Sequence, residues 1–255
     1  MGVDFSLKTL RSDLSLPDVT LVCVTGVDYR GAQFALKRSM RRINFGKVIL
    51  VGNKNPKQLL NGVEFQKAHN SNLDSIDEYS KYCIYELWRH IETPYALLVQ
   101  ADGYVLNPNA WSNTFKMYDY IGAPWKISDK SYIDPFGNHI RVGNGGFSFR
   151  SSRLLKVPIV EDIPWEVNSD DFYNHMNYHL YSEDGNICVH NRHLYEKAGC
   201  KFAPLEVAIE FSVEQKVPEF SGQITFGFHK RYPNVLNWLI EKLNWAFFKL
   251  KVSNE

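Results

Sequence analysis

The stretch YALLVQADG, residues 95–103, decides the fold. Its first five residues are apolar, as a strand buried on both faces requires. It then stops on Gln100, Ala101, Asp102 and Gly103, so an acid stands just past the carboxyl end of a core strand. In open α/β sheets that edge is where ligands bind. Taken alone, Asp102 also fits a solvated Asp-Gly turn.

The flanks supply the rest of such a sheet. VTLVCVTG (19–26) and KVILVG (47–52) read as buried strands, and YRGAQFALKRSMRRI (29–43) between them has helical spacing at Leu36, Met40 and Ile43. Strand, helix and strand with short joins predict a right-handed crossover and a parallel sheet. SIDEYSKYCIYELWRHI (75–91) predicts a helix ended by Thr93-Pro94, immediately before the strand at 95. Downstream, WSNTFKMYDYIGAPW predicts a short helix and a strand, GGFSFR (145–150) a strand, and SEDGNICVHNRHLYEKAG (182–199) a helix capped by Ser182 and closed by Gly199. ITFGFHK (224–230) reads as a late strand or turn, and PNVLNWLIEKLNWAFFKLK (233–251) as a helix opening on proline. Residues 126–142 are polar and form a long loop, a length that is uncommon without a functional reason.

Bulk composition excludes several classes. With 255 residues and no repeat or linker, the chain fits one α/β domain, residues 1–232, followed by an amphipathic helix, 233–255. A net charge of +1 provides no basic field for nucleic acid. The four cysteines have no Cys-x-x-Cys spacing, which argues against structural zinc and for a reducing compartment. The leader MGVDFSLKTLRSDLSLPD lacks the apolar core of a signal peptide, although Met-Gly-x-x-x-Ser fits the loose myristoylation pattern. No run is long enough to span a bilayer, so a cytoplasmic protein is expected.

Four stations can carry chemistry. Asp102 can hold a hard divalent cation that grips phosphates. In RVGNGGFSF three glycines within four positions let a ligand approach the backbone, as a bulged strand start also would. Glu183 and Asp184 open a helix, where a carboxylate either complements the dipole or serves as a general base. His229, after an apolar run, can be a core imidazole or a nitrogen ligand completing the site that Asp102 begins.

In this order the stations resemble the GT-A fold of nucleotide-sugar-dependent glycosyltransferases. The pattern Gln-Ala-Asp-Gly (100–103), Gly-Ala-Pro-Trp (122–125), Gly-Asn-Gly-Gly-Phe-Ser (143–148), Glu-Asp (183–184) and Phe-Gly-Phe-His (226–229) is similar to a bacterial family known only as a domain of unknown function. The layout also resembles the inverting galactosyltransferases. That resemblance implies a mostly parallel Rossmann-like sheet flanked by helices. It also implies a sugar nucleotide as donor and a glycan or glycolipid hydroxyl as acceptor. Asp102 and His229 would hold Mn²⁺ or Mg²⁺. Asp184 would be the base, with Glu183 orienting the acceptor or holding the loop. Thr25, Asp28 and Tyr29 would lie near base and ribose. Tyr79, Ser80 and Lys81, at the family's aromatic-Asn-Arg position, would meet nucleotide and phosphates. Gln100, Ala101, Gly145 and Gly146 would line the donor site. The loop at 126–142, with His139 and Arg141, would close over the donor. The usual Asp-x-Asp keeps only its last acid, as Asp102, and HMNYHLYSED (175–184) replaces the family's tryptophan-rich acceptor element. A GT-A-like module that binds nucleotide or glycan without turnover is the alternative.

The last helix carries an apolar stripe of Leu236, Leu239, Ile240, Leu243, Phe247 and Leu250, with Trp238 and Trp245 opposite, next to Lys242 and Lys249. A Trp face edged by lysines suits a helix lying on an anionic inner membrane face. Alternatively, the stripe packs on the sheet and the Trp side meets another element or subunit.

Overall fold

The computed structural model describes residues 14–127, 132–165, 182–230, 232 and 235–253. The Met-Gly-x-x-x-Ser pattern, part of the 126–142 loop and most of HMNYHLYSED lie outside the described residues.

Strand β1 (Leu14–Thr25) runs into helix α1 (Tyr29–Ser39) and strand β2 (Ile43–Gly52). Strand β3 (Glu64–Lys67), helix α2 (Ile76–Tyr85) and strand β4 (Tyr95–Val99) follow. The short strands β5 (Gly103–Val105), β6 (Tyr120–Ile121), β7 (Ala123–Pro124) and β8 (Val142–Gly143) lead to β9 (Phe147–Ser151) and helix α3 (Ser152–Val160). The main sheet has the order β3-β2-β1-β4-β9-β6. β3, β2, β1 and β4 are mutually parallel, and β9 enters antiparallel to both β4 and β6. The mostly parallel sheet predicted from the apolar runs is therefore present. The central strands are apolar throughout because both faces are covered: Leu21, Leu97 and Phe149 lie in the core on one side, and Val22, Ile49 and Leu98 in the core on the other.

Several boundaries differ from the expectation. α1 stops at Ser39, and Ile43 already belongs to β2, because Arg42 turns into the left-handed region. The helix expected over 75–91 is α-helical only to Tyr85 and tightens into a 3-10 turn at Leu87–His90. The helix expected over 182–199 is broken: α4 (Glu183–Gly185) widens into a π-turn over Asn186–His190, and helix returns at Arg192–Lys197. Ser182 does cap it, and Gly199 ends it at φ +86°.

Chain order reverses between β1 and β4, since β2 lies to one side of β1 and β4 to the other. Such a switch point opens a crevice at the strands' carboxyl ends. A small second sheet, β10 (Ser212–Val213), β11 (Gly227–His229) and β5, starts from that edge, since β5 begins just past the end of β4.

On the last helix, Val235–Ser253, the Trp side is divided: Trp238 is exposed, while Trp245 packs inward. Trp245 and Phe248 pack against Phe34 of α1, and buried Glu241 pairs with Arg38. The aliphatic stripe points outward: Leu236, Leu239, Ile240, Leu243 and Phe247 are all exposed. Among the described residues no helix is long and apolar enough to cross a membrane.

Candidate active site

The crevice is assembled from three segments. After β1, the Thr25 hydroxyl accepts from the amide of Asp28 (3.0 Å), and the Asp28 carboxylate accepts from Gly31 N (2.8 Å), capping α1. After β4, Gln100 Nε2 donates to Tyr79 Oη of α2 (2.6 Å). Thr25, Asp28, Tyr79 and Gln100, with Ala101 and Asp102, line a cavity of about 320 Å³ at the switch point. Tyr29 lies outside it, its hydroxyl donating to Asn53 Oδ1 (2.6 Å) at the end of β2.

Asp102 meets His229 because β5 and β11 pair antiparallel, setting Gly103 opposite His229, with Lys230 N donating to the carbonyl of Asp102 (2.8 Å). His229 Nε2 stands 3.4 Å from Asp102 Oδ1. That nitrogen is buried and has no hydrogen-bond partner among the described residues. On the other side of the ring, Nδ1 lies 3.1 Å from Glu214 Oε1 and 2.7 Å from Asn144 Nδ2. Burial opposes a charge on this imidazole, but its contacts with the Asp102 and Glu214 carboxylates outweigh it and raise the pKa to about 9. The same contact with His229 brings both carboxylates below their usual values despite burial.

Glu214 was not anticipated from sequence. It lies 15 residues before His229 and outside the stations, and only the closed ring of contacts reveals it.

The glycine segment packs behind this pair. A Cβ on Gly146 would stand 2.2 Å from His229 Nε2, and one on Gly145 would stand 1.6 Å from Glu183 Oε1. Between Gly143 and Gly145, Asn144 is held at φ +72°, its Oδ1 accepting from Phe147 N (3.2 Å). A non-glycine residue in this region is costly and clusters at functional sites.

The Glu-Asp pair divides its labour. Glu183 is buried and ion-paired with fully buried Arg150 (3.2 Å). Burial and the adjacent Asp184 charge hold the Glu183 carboxyl above its usual range, against the pull of Arg150. Asp184 is half-buried, accepts from Gly145 N (3.3 Å) and Gly185 N (2.9 Å), and faces a second cavity of about 490 Å³. That cavity also receives Tyr79, Ser80, Gln100, Trp125, His229 and Lys230. The Ser80 hydroxyl is buried there without a partner among the described residues. Lys81 does not reach the cavity: its ammonium lies 5.3 Å from the Trp165 ring. Arg141, from the long loop, is bound to the carbonyl of Trp125 and to Glu219.

The donor set suits a divalent ion of intermediate hardness: one carboxylate oxygen and one unpartnered imidazole nitrogen, with the ring oriented by a second carboxylate. Among the described residues no group of three or more His, Cys, Asp or Glu could hold a metal by itself. An ion between Asp102 and His229 therefore needs ligands from elsewhere.

Comparison with solved structures supports the fold class. A crystal structure of the galactosyltransferase LgtC, in complex with donor and acceptor sugar analogues, is similar over 90% of this chain and 94% of that one, at 11% identity and a TM-score of 0.51. A structure of an active-site mutant of LgtC matches over 84% of this chain and 88% of that one, at 13% identity and a TM-score of 0.47. The first match gives the chain a GT-A-type fold. The chain belongs to the family described as Protein of unknown function (DUF5672), whose model matches residues 62–229. That span runs from before α2 to His229 and contains Asp102, Gly145, Gly146, Glu183 and Asp184. No curated protein matches the sequence.

Proposed function

We propose that this protein is a glycosyltransferase that moves a sugar from a nucleoside-diphosphate donor to a glycan or glycolipid hydroxyl. Residues 1–232 would be the transferase unit and 233–255 an appended helix. The observation carrying this reading is that Asp102 and His229 converge at the sheet's switch point, between one cavity lined by Thr25 and Tyr79 and another lined by Asp184.

The nucleoside fits the cavity at the ends of β1 and β4, where Asp28, Tyr79 and Gln100 offer polar groups. The diphosphate then falls at Asp102 and the sugar in the Asp184 cavity, against the backbone of Gly145 and Gly146. A divalent ion (Mn²⁺ or Mg²⁺), when bound, supplies charge neutralisation on the leaving diphosphate. Asp102 and His229 would hold it, with Glu214 at Nδ1 fixing the imidazole so that its Nε2 is the nitrogen left to serve as a ligand. Lys230, which lines the sugar cavity and lies beside Asp102, takes the point-charge role that Lys81 is too remote to fill. The Asp184 carboxylate removes the acceptor hydroxyl proton as that oxygen bonds to the anomeric carbon and the bond to the diphosphate breaks. Attack from the face opposite the leaving group inverts the anomeric centre. Glu183, tied to Arg150, holds the turn that aims Asp184 and Gly145.

Replacing Asp184→Asn tests this assignment. The variant keeps its fold and its donor binding, and its transfer rate falls about 10²–10⁴-fold. Retained turnover contradicts the base role, and NMR of the product anomer checks inversion. Donor binding without transfer or hydrolysis, in wild-type protein offered a range of acceptors, would favour a binding module.

A further inference from the structure

We propose that a cavity of about 780 Å³ between α1 and the last helix binds the phosphate and first carbons of a lipid phosphate, which, on the transferase reading, anchors the acceptor. Its volume falls within the range of ligand pockets, about 300–1,000 Å³. It shares Asp28, Ala101 and Asp102 with the nucleoside cavity and Lys230 with the Asp184 cavity. A head group seated at its mouth therefore stands beside the reacting centre.

The lining selects the occupant. Aromatic faces dominate the wall: Phe34 from α1, Phe220, Phe228 and Tyr232 from β11 and its flanks, and Trp238 and Trp245 from the last helix. Phe34 and Phe228 are buried, but Trp238 is 45% exposed, and Phe220, Tyr232 and Trp245 are partly exposed. The polar atoms within this wall are already satisfied. Tyr104 Oη lies 3.1 Å from Tyr232 Oη and donates to Glu241 (3.2 Å). The same carboxylate holds Arg38 and accepts from Asn244 Nδ2 (3.3 Å). The hydroxyls of a buried glycan would lose water there without gaining partners, a cost that an aliphatic chain does not incur. The mouth is different. Lys216, Lys230 and Lys242 reach it from three segments, and all three are exposed. Lys216 and Lys242 pair with no acid among the described residues. The other acids of the lining are engaged: Asp28 caps α1 and Asp102 faces His229. An anion at one end and an aliphatic chain at the other match this distribution.

The probe is dodecyl phosphate, kept below the concentration at which it forms micelles and titrated calorimetrically into the full chain without nucleotide. Saturable binding of one molecule is expected. Decyl phosphate binds about tenfold more weakly, since two fewer methylenes are buried. Lys216→Gln with Lys242→Gln weakens binding about tenfold or more, and Trp238→Ala about tenfold. These substitutions lie at exposed positions and keep the thermal midpoint of the parent. Leu243→Glu with Phe247→Glu alters the outward stripe of the helix and not the cavity, and leaves binding unchanged. Loss of binding in that variant, no saturable binding by the parent, or equal binding of uncharged dodecyl maltoside overturns the proposal. So does glucose 1-phosphate binding as tightly as dodecyl phosphate, which would make the cavity a sugar-phosphate site. The donor reading is measured apart, by the thermal shift with nucleoside diphosphate and Mn²⁺ in the same variants, which keep Asp102 and His229. A donor shift without amphiphile binding overturns the lipid phosphate and spares the transferase. Amphiphile binding without a donor shift upholds the site and removes its role as acceptor anchor.

Discussion

His229 is where the site's physics is most exposed. Its folded pKa of about 9 lies above the value near 6.5 of an unfolded chain. The folded protein therefore binds the extra proton more tightly. The stabilisation from that proton is fully present below about pH 6.5 and is lost as pH rises through about 9. In chelator, the thermal midpoint of wild type should fall over this window relative to His229→Gln, and parallel curves would count against the pair contacts. A metal bound at Nε2 must displace the same proton, so Mn²⁺ affinity, measured by calorimetry with diphosphate present, should rise about tenfold per pH unit below 9. Glu214 orients this ring from the far side. Glu214→Gln should weaken that Mn²⁺ affinity about 10–100-fold while Asp102 stays in place. Unchanged affinity would make Glu214 a bystander. Asp102, Asp184 and His229 were legible in the sequence as residue types at particular strand and helix ends. Glu214 was not, because a lone acid before a Gln-Lys pair carries no local sign of what it touches.

At the scale of elements, the Gly-Asn-Gly-Gly turn binds the two halves of the site together. It lies between the His229 ring and the Glu183–Arg150 pair, so neither glycine position can accept a side chain in place. Gly146→Ala should destabilise the fold by about 1–3 kcal/mol. That corresponds to a drop of several degrees in the thermal midpoint, since about 2–4 °C accompanies each kcal/mol. Metal-dependent binding should fall further than stability, because the added methyl displaces Nε2. A fall in stability with unaltered metal response would separate the turn from the metal role. The strands were readable because apolar runs such as YALLV and KVILV need cover on both faces. The helix after Ser182 was readable only at its ends. The local pattern names a cap and a C-terminal glycine, but the π-turn over Asn186–His190 depends on tertiary contacts, among them Asn186 and Asn191 donating to the carbonyl of Pro164.

At the scale of the whole molecule, chain order puts the switch point between β1 and β4, and the apolar runs alone placed Asp102 just past the carboxyl end of a core strand at that switch point. The meeting of residue 102 with residue 229 was expected from the order of the stations and the family resemblance, not from any local pattern, because it rests on a pairing of β5 with β11 across more than a hundred residues. The orientation of the last helix was not legible. Periodicity states which face is apolar, but whether that face is covered depends on Arg38 and Phe34, far away in sequence.

The most direct test of the donor site is thermal unfolding with UDP, GDP, CDP and ADP, each with and without Mn²⁺. The described residues supply only two neighbouring ligands, so metal and diphosphate should bind together. A ligand at about 100 times its dissociation constant stabilises by roughly 2.7 kcal/mol. The thermal midpoint should rise by about 5–10 °C with one diphosphate plus Mn²⁺, much less with either alone, and not at all in Asp102→Ala. A wild-type protein that shifts with no diphosphate, or an Asp102→Ala variant that shifts as wild type does, would contradict this donor site.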